Sequence, residues 1–302
     1  MNLPPANDVT SDATSESAGR APAWCPWPGE DLAPGSLSVW LCRDAEPDAA
    51  AAIAECRDCL SDEELARMAR FRFPALRRQF AIAHGLVRHV LSLFHPQVAP
   101  RDWRFDTGAQ GKPEVAAGLP RIGFNLSHAE GLVALAVAHD ETGVFSGDPV
   151  GVDVEQAARN IGPGIARRYF APEEVADLEA LPEPEQRDRF FALWSLKESY
   201  IKATGFGLSL PLDSFSFAFG TPDSVSFRHH PDRLPAGFGT DGFTPLFWQT
   251  MLSSPAGERH SLALCAGAGN CPDDNGIAVF EAVPGRAVRR LAPIWDRCPV
   301  AV

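Results

Sequence analysis

The stretch FFALWSLKESYIKATGFGL, residues 190–208, sets two lysines and a glutamate among bulky aromatics. On a helical wheel centred on Trp194, Phe190, Phe191 and Ile201 fall within roughly 60°, and Lys197, Glu198 and Lys202 within about 80°. A solvated Glu198–Lys202 pair would put its charges opposite the aromatics and contribute only a few tenths of a kcal/mol. The opposite side carries Leu196, Ser199, Tyr200 and Ala203 instead. Buried charge is costly unless it is met by counter-charge. The pattern therefore predicts a partly buried site where two ammonium groups and a carboxylate meet a charged ligand.

A second group lies in GVDVE, residues 151–155. Strand alternation puts Asp153 and Glu155 on one face, with Val152 and Val154 on the other. That face is either wet or neutralised by a cation, and hard carboxylate oxygens suit Mg²⁺ together with water and substrate phosphate. If the 190–208 helix packs on this strand, Glu198 joins the pair, with Lys197 and Lys202 flanking it. Acidic metal ligands beside ammonium groups describe phosphoryl transfer. No G-x-x-x-x-G-K-[ST] loop is present, which argues against an ordinary P-loop enzyme. FNLSHAEG places Ser127 and His128 between two strand candidates without a nucleophile elbow. They read better as phosphate donors than as a nucleophilic pair. In QGKPEV, Pro113 stiffens the loop that carries Lys112; by itself such a lysine is more often a surface lysine than a ligand.

The elements that must position these residues follow from pattern. Leu37–Leu41 alternates as a strand, and SDEELARMARFRF opens with a capping box, Ser61 to Glu64. After Pro74, ALRRQFAIAHGLVRHVLSLF predicts a long helix, and WRFDTG, RIGFNLS and GLVALAVAHD predict strands. The second half opens on the strand PVGVDVE and has helical signals in GPGIARRYFAPEEVADLEAL and in the 190–208 stretch. Strands SFSFAF, SVSFRH, LFWQTML and SLALCAG follow. Arg78, Phe80 and Ala81 in the first long helix match Arg189, Phe191 and Ala192 in the second. With the repeated element order, this predicts an α+β fold of two similar halves, residues 36–150 and 151–270, with a ligand cleft between them. Residues 1–35 read as a disordered leader and 271–302 as a tail of uncertain order.

Of 302 residues, 45% are hydrophobic, yet no apolar run approaches a membrane span, and the N-terminus lacks a signal-peptide pattern. A cytoplasmic protein is expected. The formal charge of −12 argues against nucleic-acid binding. Even so, Arg67, Arg70, Arg72, Arg77, Arg78 and Arg88 lie in a stretch, Arg67 to Pro100, that has no Asp or Glu. This basic island is either a solvated face or a site for a phosphorylated ligand or an acidic partner. The seven cysteines are scattered, and the lone CRDC at 56–59 lacks the second pair that zinc would need.

Taken in order, GKP, FNLSH, GVDVE and FFALWSLKESYIKATGFGLSLPLDSF resemble the signature blocks of the Sfp-type 4′-phosphopantetheinyl transferases. The W-x-x-K-E-x-x-x-K pattern at Trp194, Lys197, Glu198 and Lys202 is the most specific. The resemblance runs from about residue 36 to 267, its motifs between 111 and 213. It implies a pseudo-twofold monomer that binds coenzyme A between its halves. Such an enzyme moves the 4′-phosphopantetheine arm onto a serine of an acyl or peptidyl carrier protein, often in secondary metabolism. Adenosine 3′,5′-bisphosphate is released. By the same resemblance, Asp153, Glu155 and Glu198 would hold Mg²⁺ or Mn²⁺. Glu198, Lys202 and Lys197 would be catalytic, both lysines also touching the co-substrate. Lys112, Pro113 and Ser127 would contact the CoA pyrophosphate region, with His128, Arg67 and Arg78 at the 3′-phosphate. A degenerate relative that only binds CoA or a carrier is the alternative, but its mark, a lost carboxylate or second lysine, is absent. The chain departs from the family pattern in its leader, its tail, a long 139–150 connection, and Glu64 where a basic contact would be sought.

Overall fold

In the first half, strands β1 (Cys25–Pro26) and β2 (Leu37–Arg43) precede helices α1 (Ala49–Cys59), α2 (Asp62–Ala69) and α3 (Pro74–Phe94). Short strands β3 (Phe105–Thr107) and β4 (Pro113–Val115) lead to a hairpin of β5 (Gly123–Ala129) and β6 (Leu132–Ala138). The capping box forms: Ser61 Oγ accepts the Glu64 N–H at 3.2 Å, and the Ser61 N–H donates to the Glu64 carboxylate at 2.8 Å. Helix α3 starts on Pro74, whose fixed φ suits a first turn that has no partner for its N–H.

The second half repeats this plan. Strand β7 (Val150–Gln156) is followed by helices α4 (Ile165–Tyr169), α5 (Pro172–Ala180) and α6 (Glu183–Thr204). Then come β8 (Phe215–Gly220), β9 (Ser224–His229) and the hairpin β10 (Pro245–Ser253) with β11 (Arg259–Gly267). In each half the opening strand pairs antiparallel with the second hairpin strand, giving β2–β6–β5 and β7–β11–β10. The repeated order is the α+β architecture expected from the sequence.

Helix α3 packs Ile82, Leu86, Val90 and Leu91 on one face of the first sheet, and α6 packs Phe191, Leu196 and Tyr200 on one face of the second. The remaining faces meet each other through Val39, Leu132, Ala136, Val152, Leu262 and Leu264. Edge strands β5 and β7 are joined by side chains: Asn125 Oδ1 accepts the Val152 N–H at 2.8 Å, and Ser127 Oγ accepts the Val154 N–H at 3.2 Å. Thus the line where the halves meet is also the line of candidate residues.

This computed structural model describes residues 25–27, 37–43, 49–108, 111–139, 149–162, 164–220, 224–239, 243–254, 256–270, 277–292, 294–296 and 298–299. Most of the predicted leader and the 140–148 part of the long connection lie outside them. At the C-terminal end the expectation is corrected. Strand β12 (Ala278–Val283) pairs parallel with β2, β13 (Ala287–Arg290) pairs with β12, and β1 with β13. Strand β14 (Cys298–Pro299) joins β9 in the second half. Residues 278–283, 287–290 and 298–299 of the expected tail therefore belong to the fold. AVFEAV shows no alternation because both faces of β12 are covered, Glu281 being paired with Arg43 and Arg289.

Cys56 and Cys59 are buried free thiols of α1, and burial pushes the Cys59 thiol up to about 12, as suits packing rather than redox use. Among the described residues no helix is long and apolar enough to cross a membrane.

Candidate active site

Glycine at 151 sets the site. A Cβ there would stand 2.1 Å from the Ser199 carbonyl oxygen and 2.4 Å from the Ala203 nitrogen. Only without a side chain can α6 lie this close to β7. The contact brings the last turns of α6 over Asp153, while Gly205, at φ 70°, ends the helix in the left-handed conformation.

Lys202 Nζ then lies 2.6 Å from Asp153 Oδ1 and donates to Ser127 Oγ at 2.8 Å. The Ser127 hydroxyl donates to Asp153 Oδ1 at 3.0 Å while accepting from Lys202 and Val154. It is fully committed, which removes it as a nucleophile. Asp153 is 4% exposed, and its Oδ2 is buried with no hydrogen-bond partner among the described residues. Such an orphaned acceptor is costly unless a cation or donor meets it.

Glu155 and Glu198 complete an acidic group. Burial, then the Asp153 charge, raises the Glu155 carboxyl, although Arg159 lies 3.1 Å away. Burial and Asp153 push Glu198 up to about 7, Glu155 adding to the rise and Lys202 opposing it. Close carboxylates resist joint ionisation. Among the described residues, no group of three or more His, Cys, Asp or Glu is arranged as a ready metal site. His128 faces the solvent side of β5. Partial burial, then Lys202 and His84, hold its imidazole below its usual pKa.

Two cavities flank this line, sharing Pro113 and Phe124. One of about 370 Å³ is lined by Lys112, Val150, Ala203 and Gly205. The other, about 470 Å³, is lined by Glu64, Arg67, His84 and Arg88. Arg67 also stands over the Phe80 ring at 5.6 Å. Arg78 is half-buried, its Nε without a partner among the described residues. Lys112 also joins the halves: its ammonium donates to the Val150 carbonyl at 3.2 Å and the Ala203 carbonyl at 3.3 Å.

Lys197 requires a correction. It is fully buried, not in the cleft, with Nζ 2.8 Å from Glu174 and 2.7 Å from the carbonyls of Leu212 and Phe215. Glu174 also accepts the N–H groups of Ala171 and Phe217 at 2.9 Å. Burial lowers the Lys197 ammonium and raises the Glu174 carboxyl, and their contact opposes both shifts. The wheel angle explains the outcome, since five residues separate Lys197 from Lys202 by about 140° around a helix. They leave α6 on opposite flanks.

Sequence reading missed Glu174, Gly151 and His260. The His260 ring is buried and lies 2.7 Å from the Glu130 carbonyl, tying β11 to the β5–β6 turn just beyond Ser127 and His128. Only Gly151 carried a signal, a glycine inside a strand. Glu64, noted as a departure, contacts Arg88 at 2.7 Å and His84 at 2.8 Å. Burial would raise its carboxyl, but His84, the Ser61 N–H and Arg88 hold it down at about 2.

Residues 149–265, the span that carries β7, α6 and the second hairpin, match the 4′-phosphopantetheinyl transferase superfamily. The chain is 35% identical over 224 residues to the 4′-phosphopantetheinyl transferase ffp of Bacillus subtilis, covering 74% of this chain and 89% of that protein. It is 34% identical over 222 residues to Sfp of Bacillus subtilis strain 168, covering 74% and 88%. With HetI of Nostoc it shares 29% identity, covering 74% of this chain and 97% of that protein. The chain belongs to the 4′-phosphopantetheinyl transferase family, in its Sfp-type branch.

Proposed function

We propose that the protein transfers the 4′-phosphopantetheine arm of coenzyme A to a serine hydroxyl of an apo acyl or peptidyl carrier protein. Adenosine 3′,5′-bisphosphate leaves. The observation that carries this reading is the Lys202–Ser127–Asp153 cluster, built from both halves, with Asp153 Oδ2 buried and without a partner among the described residues.

The carrier serine oxygen attacks the pantetheine-side phosphorus, a new P–O bond forms, and the pyrophosphate bridge breaks. Charge gathers on the departing phosphate, where the Lys202 ammonium neutralises it. Glu198, poised at about 7, takes the serine proton directly or through water. Such a reaction needs positioning and charge neutralisation more than covalent help. Asp153, Glu155 and Glu198 would hold Mg²⁺, which supplies neutralisation of the pyrophosphate charge when bound. The donor set suits it: the oxygens are hard, Asp153 Oδ2 is orphaned, and Mg²⁺ takes few protein carboxylates beside phosphate and water. Arg67 and Arg78 offer positive charge for the 3′-phosphate, and His128 a neutral imidazole donor. We also infer a monomer, because both halves of the cluster come from one chain, acting in the cytoplasm.

The test is the intact mass of a purified apo carrier protein after incubation with this protein, CoA and Mg²⁺. A gain of one phosphopantetheine arm, abolished by EDTA, is expected. No gain across several unrelated carriers, with CoA still bound, would favour a degenerate binder.

A further inference from the structure

The basic island is only partly absorbed by the site. Arg70, Arg72 and Arg77 are exposed where α2 turns into α3, and none forms an ion pair among the described residues. Between them lie Phe73, 60% exposed, and Leu76, 43% exposed, the two most exposed large hydrophobic side chains among the described residues. The corner is held in place. Arg77 Nε donates to the Phe71 carbonyl at 2.7 Å, Phe71 packs on Phe80 at 5.5 Å, and the Arg72 guanidinium stands 5.7 Å from the Phe73 ring.

It also adjoins the site. One turn along α3, Gln79 donates to the Ala129 carbonyl at 2.7 Å, two residues beyond Ser127, and Arg67 of α2 lines the larger cavity. Unmatched guanidinium groups around exposed apolar side chains are unusual in a chain of net charge −12. Arginine and aromatic residues are enriched at interfaces, and an isolated positive patch steers an acidic partner.

We propose that this α2–α3 corner docks the carrier protein through an acidic helical surface with an apolar centre. The arginines meet its carboxylates, Phe73 and Leu76 meet its centre, and the carrier serine reaches toward the cleft. This assignment rests on the transfer reading above.

Two variants test it, Phe73→Ser with Leu76→Ser and Arg70→Glu with Arg72→Glu, all at exposed positions. Initial rates of arm transfer are measured against an acidic apo peptidyl carrier domain and, separately, against CoA. Each variant is expected to raise the carrier KM roughly tenfold or more, with kcat and the CoA KM unchanged. The arginine variant should also flatten the salt dependence of the carrier KM, and lysines placed on the acidic helix of the carrier should restore it in part. If the wild type transfers and both variants keep its carrier KM, docking here is overturned while the transfer reading stands. A rise in the CoA KM instead assigns the arginines to the co-substrate and also overturns it. A wild type that transfers nothing defeats the transfer reading, and the docking proposal with it.

Discussion

Two lysines five residues apart on α6 serve two regions of the molecule. Lys197 reaches into the core of the second half, where it and Glu174 are both 0% exposed and two carbonyls take its remaining donors. Lys202 reaches into the cleft, 28% exposed, onto an aspartate that keeps a buried oxygen free. The chemistry of each pair is the same. What differs is completeness: the core pair has every polar atom answered, whereas the cleft cluster keeps a buried carboxylate oxygen without a partner among the described residues. A closed pair holds a fold together, and an open one is ready for an additional charge.

The sharpest way to break this comparison is to empty the core. Lys197→Met leaves the Glu174 carboxylate buried and unpaired, and should cost about 3–5 kcal/mol in urea unfolding. Adding Glu174→Gln should recover a substantial part, because an amide can still accept from Ala171 or Phe217 without carrying charge. Per folded molecule, transfer should stay within a few-fold of wild type. A Lys197 variant that folds well but cannot transfer would return this lysine to the chemistry.

Emptying the cleft should do the reverse. Lys202→Ala is expected to lower kcat about 10²–10³-fold, the scale for removing one electrostatic donor, while stability changes by about 1 kcal/mol. Glu198→Gln should also remove transfer with the fold intact. If either variant unfolds instead, the cleft cluster is structural and the distinction between the lysines collapses.

The same Glu198→Gln variant has a smaller, pH-dependent signature. The folded carboxyl titrates at about 7, above its unfolded range near 4.5. Stability present below the unfolded value is therefore lost as pH rises through about 7. Without metal, wild type should lose on the order of 1–2 kcal/mol across that window, and the glutamine variant should lose less. Thermal melts from pH 5 to 8 with EDTA measure this.

Helix α3 was legible because burial on one side leaves a period in its residues, and β2 and β6, covered on both faces, because they are runs of mostly apolar residues. Strand β12 is also covered on both faces, but Glu281 interrupts its apolar run and its partner β2 lies across the whole chain. The wheel was sound in setting the α6 charges beside the aromatics. It could not tell which flank meets water, because that depends on Glu174, supplied from α5. Asp153, Glu198, Lys202 and Ser127 are brought together as the motif order suggested. For Lys112 the motif is too local: a lysine before a proline says nothing of the carbonyls of Val150 and Ala203 across the inter-half line.

The gentlest test extends the comparison to carboxylates. Glu64 has what Glu198 lacks, with Arg88, His84 and the Ser61 N–H all meeting its oxygens. Its folded carboxyl lies at about 2, below its unfolded range, so its contribution is present above that range and is lost as pH falls toward about 2. Glu64→Gln keeps the shape and most hydrogen bonds, and should cost about 1 kcal/mol near pH 7. The gap to wild type should close as acid protonates the native carboxylate. The two glutamine variants must therefore diverge from wild type with opposite pH signs, Glu198→Gln gaining as pH rises and Glu64→Gln gaining as it falls. Parallel slopes in paired urea titrations between pH 3 and 8 would mean that Glu64 is no better answered than Glu198, and the contrast between closed and open charge would fail in the first half of the molecule.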